Sequence, residues 1–251
     1  SLAGALGPLA LMANMYMNEY NVSPETAAMV TVKNRSNAAN NPFAHLQMPK
    51  ITLDYVMSSQ TISYPLRLHD CCPQSEGACA VIYANEKEAK KIRDNTAWFH
   101  SVATAHYYTF GCDDKMYDLP TATIASKKAY KKAGIRDPVK DLDVAEVYEP
   151  TSWAELSWTE ALGFAEPGKG GEILREGITQ MGGELPVNPS GGVLSTNPIG
   201  ATALVRFAEA AIQIMGRGEK RQVPDVEKAL AMGFGGSLWT ELAIFGNEPL
   251  R

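Results

Sequence analysis

Short apolar runs alternate with longer amphipathic segments through the second half of the chain, and this order is typical of an α/β fold. The apolar runs have the length and the β-branched content of strands, whereas the segments between them carry apolar residues at helical spacing. Helices that alternate with strands pack on the faces of a sheet, which we expect to be mixed. The predicted strands are 77–84, 97–108, 141–149, 183–188 and 237–246, and the predicted helices are 85–94, 119–135, 150–164 and 198–216.

The first part of the chain shows helical periodicity instead. The run ALMANMYMNEY at 10–20 carries apolar residues at helical spacing. A second helix is predicted to begin at Ser23 and Pro24, because serine is a favoured cap and proline a favoured first helical residue. The stretch 48–59 predicts a loop followed by a short helix. This part of the chain is therefore expected to be mostly helical.

Composition narrows the classes of function. The chain has 251 residues, of which 45% are hydrophobic and 20% charged, so it can form one or two domains with a sizeable core. Its net charge of −5 disfavours a nucleic-acid binder, which needs a basic surface. No run has the roughly 18 consecutive apolar residues of a membrane span. The apolar opening lacks a basic segment and is interrupted by Pro8 and Asn14, so it predicts a core segment and not a signal peptide.

The cysteines indicate reduced thiols. Cys71, Cys72, Cys79 and Cys112 are too few and too clustered for a disulfide framework in a chain of this length. They form no CxxC motif, and no cysteine–histidine spacing suits a zinc site. We therefore expect a cytoplasmic protein with no metal in this chain.

The junction NPSGGVLSTNPIGATA at 188–203 is the most informative stretch. Gly191 and Gly192 follow a predicted strand, where glycine permits a positive φ or the close approach of a ligand. Asn197 and Pro198 precede the long helix, and both residue types favour the first positions of a helix. Asn197 is therefore either a helix cap or a group beside a helix N-terminus, whose free N–H groups suit a carbonyl oxygen or an anion.

This junction resembles a motif of the thiolase superfamily, which runs Asn-Pro-Ser-Gly-Gly, a few residues, then Gly-His-Pro-hydrophobic-Gly-Ala-Thr. Three other segments resemble family motifs in the same order: LRLHDCCPQSEGACAVIYA, IASKKAYKKAGIRDPVKDLDVAEVYEP and RQVPDVEKALAMGFGGSLWTELAIFG. The resemblance extends from about residue 5 to residue 246. It implies the layered αβαβα thiolase fold, with 1–66 as the rest of the loop domain, 67–94 as the last strand and helix of the N-terminal half, and 95–251 as the C-terminal half.

The sequence departs from the family pattern at the residues that carry the chemistry. The family's nucleophilic cysteine lies on an upstream segment with no counterpart here, so the resemblance implies that it belongs to a longer polypeptide or a separate chain. Asn197 stands where the family has histidine, and an amide can donate a hydrogen bond but cannot act as a base. Gly233 stands where biosynthetic thiolases have a second cysteine. Another base must therefore replace them, or the activity is lost.

Glu149 is the preferred replacement base, because it follows a predicted strand and burial can raise the pKa of a carboxyl group. It could instead be a helix N-terminal glutamate that complements the helix dipole. Tyr148 could donate to an oxyanion or be an ordinary strand aromatic. The resemblance places Cys72 at the coenzyme A tunnel, and we assign Ser75 to the same side with Gly191 and Gly192. His69 and Cys112 are weaker candidates, read as a tunnel-border residue and a buried inert thiol.

The resemblance implies a thiolase-type acyltransferase that cleaves or forms a 3-oxoacyl-CoA, with coenzyme A as co-substrate. The motifs are most similar to archaeal-type and lipid-transfer-protein-type thiolases, which implies a homodimer or higher assembly and a small zinc-ribbon/OB-fold partner. Trp98, Trp153 and Trp158 suggest a bulky aromatic acyl group, such as that of a benzoylsuccinyl-CoA-type thiolase. The alternative is a non-catalytic thiolase-like subunit that binds acyl-CoA or a partner protein.

Overall fold

Two adjacent helices open the structure, a computed structural model that describes residues 4–92, 95–106, 115, 117–235 and 239–250. Helix α1 (Leu6–Tyr20) ends at Asn21, which adopts a left-handed conformation with φ 51°. Helix α2 (Pro24–Ala38) begins with proline at its first position, as predicted. Ser23 occupies the cap position, but its hydroxyl pairs with the Thr26 hydroxyl at 3.3 Å and not with the helix backbone. The predicted helices of this region are confirmed.

A mixed sheet lies at the centre of the second half. Its strands are β3 (Trp98–Ala105), β4 (Val144–Glu146), β5 (Lys228–Gly235) and β6 (Trp239–Gly246). They lie in the order β3–β6–β5–β4. Strand β6 is antiparallel to both of its neighbours, whereas β4 runs parallel to β5. The predicted mixed sheet is thereby confirmed.

Helices cover both faces of this sheet, and successive residues of the central strands alternate between them. Leu230 and Leu242 belong to the core shared with helix α5 (Pro120–Ala133), which ends at Gly134 with φ 72°. Ala231 and Ala243 belong to the core shared with helix α10 (Thr202–Ile214). A strand that is buried on both faces carries a continuous apolar run, because its side chains point alternately to opposite sides.

Shorter elements connect these parts. Strands β1 (Thr61–Ser63) and β2 (Leu66–Arg67) form an antiparallel two-stranded ribbon. The 3-10 turn Leu68–Asp70 follows β2 and leads to Cys71 and Cys72. The remaining bounds are α3 (Leu53–Met57), α4 (Glu86–Ile92), α6 (Pro138–Asp141), α7 (Ser152–Ala161), α8 (Gly170–Arg175) and α9 (Gly192–Ser195). Within the described ranges, no helix is long and apolar enough to cross a membrane.

The predicted buried strand at 77–84 is wrong. The segment has no ladder partner among the described strands, and Ile82 is 91% exposed. A strand forms only when a neighbour satisfies its N–H and C=O groups, so an apolar run without a partner stays irregular. Tyr83, close to Ile82, lines an apolar groove of about 550 Å³ together with Phe99, Leu204 and Phe207.

Three further predictions need correction in extent. The predicted strand 141–149 is limited to β4 (Val144–Glu146). The predicted strand 183–188 is reduced to a single parallel bridge between Ala145 and Val187, in which the Pro186 carbonyl accepts from Ala145 but its imide nitrogen cannot donate. The predicted helix 198–216 begins only at Thr202, after a 3-10 turn at Ile199–Ala201. The proposed division into 1–66, 67–94 and 95–251 remains a prediction.

Candidate active site

The candidate site is built around the segment that leaves β4 and enters α7. Tyr148 and Glu149 lie in this segment, and Thr151 caps α7 by accepting a hydrogen bond from the Ala154 N–H at 3.2 Å. The position is the carboxyl end of a strand that pairs in parallel, where α/β folds commonly place ligands. The segment that contains Cys71 and Cys72 packs alongside, since the backbones of Cys71 and Thr151 form an isolated antiparallel β-bridge.

Asn197 joins this segment to the start of α10. Its Nδ2 donates to the Cys72 Sγ at 3.2 Å, and its Oδ1 accepts from the Thr202 hydroxyl at 2.8 Å. The side chain is 8% exposed. Because α10 starts at Thr202, the interpretation of Asn197 as the cap of this helix is wrong. The amide instead connects the cysteine segment with the first residue of α10.

Two hydrogen bonds, one donated by each residue, connect Ser75 with the backbone of Asn197. The Ser75 N–H donates to the Asn197 carbonyl at 3.1 Å, and the Asn197 N–H donates to the Ser75 Oγ at 3.0 Å. The Ser75 hydroxyl also lies 2.9 Å from Nδ1 of His45. His45 is further held by its own N–H, which donates to the Thr196 hydroxyl at 3.0 Å. Sequence reasoning assigned no role to His45, and only the fold brings it here.

Glu149 is completely buried beneath the loop that contains the two glycines. Its Oε1 accepts from the Leu194 N–H at 3.1 Å and from the Asn34 Nδ2 at 3.0 Å. Its Oε2 is buried and has no hydrogen-bond partner. Burial, with the repulsion of Glu155, raises the pKa of Glu149 to about 8, although Arg206 opposes the shift. The hydrogen bonds of Glu149 Oε1 come from α2 and the glycine loop and not from the N-terminus of α7, and the helix-dipole interpretation stays an alternative.

The raised pKa of Glu149 predicts that folding stability changes with pH. The unfolded carboxyl ionises near its ordinary value of 4.5, whereas the folded carboxyl keeps its proton to about pH 8. The folded state therefore holds the extra proton between these values, and the free energy of unfolding falls as pH rises through this window. Because glutamine does not titrate, the free energy of unfolding of Glu149→Gln relative to wild type should increase with pH in this window, by up to roughly 1.4 kcal/mol per pH unit. Urea unfolding at pH 4.5, 6 and 8 checks this; a difference that stays constant across these pH values contradicts it.

Tyr148 lies between the buried carboxylate and the Asn197 side. It is half-buried, hydrogen-bonds to Thr202, and has its ring centroid 6.0 Å from that of Phe234. Burial raises the pKa of its phenol above the ordinary value, and the charges of Cys72 and Glu149 act in the same direction. The phenol therefore stays protonated at neutral pH and can donate a hydrogen bond. Tyr148, Asn197, Cys72, Ser75 and Thr202 form what we call the Asn197 cluster.

Packing accounts for both glycines of the junction. Gly191 has φ 96°, and a Cβ there would come within 2.5 Å of the Ala38 Cβ. Gly192 has φ 65°, and a Cβ there would lie 2.0 Å from the Glu149 Oε1. Both residues are buried. The absence of a side chain therefore lets α2 and the Glu149 carboxylate approach this loop, and a role towards coenzyme A stays a prediction.

The described cysteines are poor nucleophiles. Burial raises the pKa of Cys71 to about 12 and that of Cys72 to about 11, where the Asn197 hydrogen bond opposes the shift and Glu149 adds to it. Burial also raises the pKa of Cys79. The reactive form of cysteine is the thiolate, which these environments disfavour. Cys112 lies outside the described residues.

Several sequence candidates have structural roles instead. His69 forms no pair with Cys71; its Nδ1 faces the buried Arg35 guanidinium at 2.7 Å, and its ring stacks on Tyr55. Trp153 and Trp158 are 2% and 0% exposed and belong to the core clusters, so they do not line an acyl site. Trp153 and Trp158 therefore give no support to an aromatic substrate, whereas Trp98 is half-buried at the start of β3. Across the described ranges, no group of three or more histidine, cysteine or acidic side chains is placed to hold a metal ion.

Buried polar networks behind the cluster were not predicted. The Asn34 Nδ2 donates to both Glu149 and Glu155, and Lys33 pairs with Glu155. A second network holds the glycine loop: the Arg206 Nη1 lies 2.6 Å from the Glu146 Oε2 and 2.6 Å from the Ser190 Oγ. Arg206 stands among apolar residues of α10, which is a sequence signal for the second network, whereas Lys33 and Asn34 lie in a polar run of α2.

The chain is similar to proteins of one known family. The profile of the family described as thiolase C-terminal domain-like matches residues 101–247. An acetyl-CoA acetyltransferase of Methanothermobacter thermautotrophicus is 37% identical over 230 residues, which are 91% of this chain and 59% of the relative. The benzoylsuccinyl-CoA thiolase subunit BbsB of Thauera aromatica is 32% identical over 226 residues, 88% of this chain and 57% of the relative. The chain thus spans somewhat more than half the length of these curated relatives.

A solved structure shares the fold as well. The aldolase described as Ltp2-ChsH2(DUF35) superimposes with a TM-score of 0.86 at 25% sequence identity, over 98% of this chain and 64% of that chain. The predicted fold class, a layered thiolase-like α/β fold, is confirmed by this superposition together with the family match.

Proposed function

The chain belongs to the thiolase family, and from that premise we propose that it forms part of an acyltransferase that cleaves a 3-oxoacyl-CoA with coenzyme A. The Asn197 cluster carries this proposal. It gathers an amide, a phenol and a serine hydroxyl at the carboxyl end of β4, next to a carboxyl group whose pKa burial raises to about 8. Such donors suit a thioester or keto oxygen, and a carboxyl group that titrates near neutrality suits proton transfer.

The roles follow from the chemistry of each side chain. Asn197 and Tyr148 donate hydrogen bonds to the oxygen that gains negative charge when the carbon–carbon bond breaks. Glu149, with its unpartnered Oε2, is the general base. Ser75 and Cys72 line the coenzyme A side, and Gly191 and Gly192 let the backbone approach it. We place the nucleophilic cysteine outside this chain, because the family motif that carries it has no counterpart in the sequence; the pKa of each described cysteine is also raised.

The substrate class is a 3-oxoacyl-CoA, and the aromatic subclass rests on the similarity to the Thauera aromatica subunit alone. The assembly is a homodimer or higher thiolase assembly, located in the cytoplasm, with a small zinc-ribbon/OB-fold partner. The description of the solved aldolase names ChsH2(DUF35) alongside Ltp2, and this supports a second component for the present chain by analogy.

A non-catalytic subunit is the competing function, and one observation favours it. Asn197 cannot act as the base that histidine supplies at this place in the family motif, and Glu149 is fully buried. An acyl-CoA ester could then bind the Asn197 cluster without being cleaved. The aldolase neighbour adds a third outcome, a retro-aldol cleavage, which in an acyl-CoA ester requires a hydroxyl group at the 3-position.

The deciding experiment is a cleavage assay of the full protein, with any partner that co-purifies. We expect acyl-CoA products from straight-chain and aromatic 3-oxoacyl-CoA esters, and only when coenzyme A is added. The matched 3-hydroxyacyl-CoA esters, assayed without coenzyme A, test the aldolase outcome. If every ester binds but none is cleaved, the protein is a non-catalytic subunit.

A further inference from the structure

An imidazole lies next to the Asn197 cluster although Asn197 itself is an amide. His45 is in the loop after α2, and its Nδ1 is 2.9 Å from the Ser75 Oγ. The same hydroxyl oxygen accepts from the Asn197 N–H at 3.0 Å. His45, Ser75 and Asn197 therefore form a continuous hydrogen-bonded chain, which no sequence motif had suggested.

The direction of these hydrogen bonds follows from the donors available. A serine hydroxyl has one proton and two lone pairs. The Asn197 N–H is a donor and occupies one lone pair, so the Ser75 proton is free to point at Nδ1 of His45. A neutral imidazole that carries its proton on Nε2 accepts at Nδ1. The arrangement is that of a hydroxyl with a base behind it, as in hydroxyl groups activated for proton transfer.

The pair is held in place and is open to solvent. The His45 N–H is fixed on the Thr196 hydroxyl at 3.0 Å, so its backbone is tied to the residue before Asn197. His45 is exposed and Ser75 half-buried, in contrast to Glu149, which is 0% exposed. A ligand that reaches the Asn197 cluster from solvent could therefore contact Ser75 and His45, whereas Glu149 is closed to solvent.

We infer that Ser75 and His45 form a proton relay that accepts the proton of the coenzyme A thiol. This inference rests on the proposed function, and it assigns to His45 the proton of the coenzyme A thiol, a step separate from the proton transfer assigned to Glu149. The thiol S–H bond breaks as Ser75 Oγ gains that proton, and the Ser75 O–H bond breaks as His45 Nδ1 gains its own. The result is a thiolate beside an imidazolium, with Ser75 unchanged. The thiolate attacks the acyl group held as a thioester on the nucleophilic cysteine, and the bond between the acyl carbon and the cysteine sulfur breaks. The cysteine leaves as a thiolate, which takes back the proton of the imidazolium through Ser75. Ser75 touches the substrate, and His45 acts through it.

The relay predicts a specific kinetic signature for His45→Gln. Turnover in the coenzyme A-dependent cleavage should fall about tenfold, the low end for loss of an acid–base group. The KM for coenzyme A should stay within a factor of about two, since the thiol is still bound. Because the site is exposed, added imidazole should restore part of the lost turnover of His45→Ala. His106→Gln, at another exposed histidine, is the matched control and should leave turnover unchanged. Full turnover of His45→Gln would overturn the relay while leaving the proposed function intact.

A measurement that does not depend on turnover separates the two proposals. Diethyl pyrocarbonate modifies accessible imidazoles, and peptide mass spectrometry reports the rate at each histidine. Saturating coenzyme A should slow the modification of His45 severalfold and leave His106 unaffected. Protection of His45 supports the relay even if no ester is cleaved. Equal modification with and without coenzyme A overturns it, whatever the cleavage assay shows.

Discussion

Glu149→Gln is expected to lower the turnover of the coenzyme A-dependent cleavage by at least about tenfold, within a range that extends to roughly 10²–10⁴ for loss of a general base. The amide keeps the size of the carboxylate and an oxygen for the Leu194 N–H and the Asn34 amide, so the loop geometry is retained. What is lost is the ability of the unpartnered Oε2 to take a proton. The substitution therefore separates proton transfer from packing.

The pH dependence of turnover gives the same prediction a second readout. A base acts when it is ionised, so wild-type turnover should rise as pH increases through about 8, the pKa that burial gives to Glu149. This rise should be absent in Glu149→Gln. Glu160→Gln is the matched control, because burial also raises the pKa of Glu160 but its contacts are with Tyr16, Gly168 and Gly170. Unchanged turnover in Glu149→Gln would remove Glu149 from the mechanism.

Elements whose periodicity matches their environment could be predicted from the sequence. Helix α5 has an apolar face and a left-handed Gly134 at its end, and both signals are local. Strand β5 was not predicted as a separate element, because residues 228–235 are apolar on both faces and contain glycines. The strand prediction for 77–84 was wrong for the opposite reason. The segment has the composition of a strand, but a strand also needs a neighbouring strand to pair with, and composition does not show whether one is present.

The residues of the candidate site also show what local sequence patterns can and cannot predict. Asn197, Tyr148 and Glu149 could be found because they stand at positions of recognisable motifs. His45 and Asn34 could not, because their partners, Ser75 and Glu149, lie 30 and 115 residues further along the chain. A contact of this kind depends on where two distant segments of the chain meet, and local patterns do not encode it. The burial of Glu149 was likewise invisible, since its cause is the glycine loop folded above it.

Arg206→Met is expected to lower the free energy of unfolding by about 3–5 kcal/mol, the usual cost of removing one partner of a buried ion pair. Arg206 and Glu146 are 1% and 0% exposed at the side chain, and their charged atoms lie 2.6 Å apart. Without the guanidinium, the Glu146 carboxylate stays buried with only Ser190 as a donor. Thermal unfolding followed by circular dichroism should show a Tm lower by roughly 10 °C for a chain of this size.

The double variant Glu146→Leu with Arg206→Met tests whether the loss comes from an unpaired charge. A buried pair replaced by apolar residues is often tolerated, so the double variant should be more stable than the sum of the single losses by at least about 1 kcal/mol. Lys90→Met is the control: Lys90 and Glu86 lie 2.5 Å apart but are 60% and 57% exposed, and such pairs contribute less than about 1 kcal/mol.

Because Arg206 also holds Ser190, the single variant Arg206→Met should release the glycine loop above Glu149. Hydrogen exchange should then be faster at Leu194, whose N–H donates to the Glu149 carboxylate. Additive losses in the double variant, with unchanged exchange at Leu194, would show that the ion pair does not position this loop.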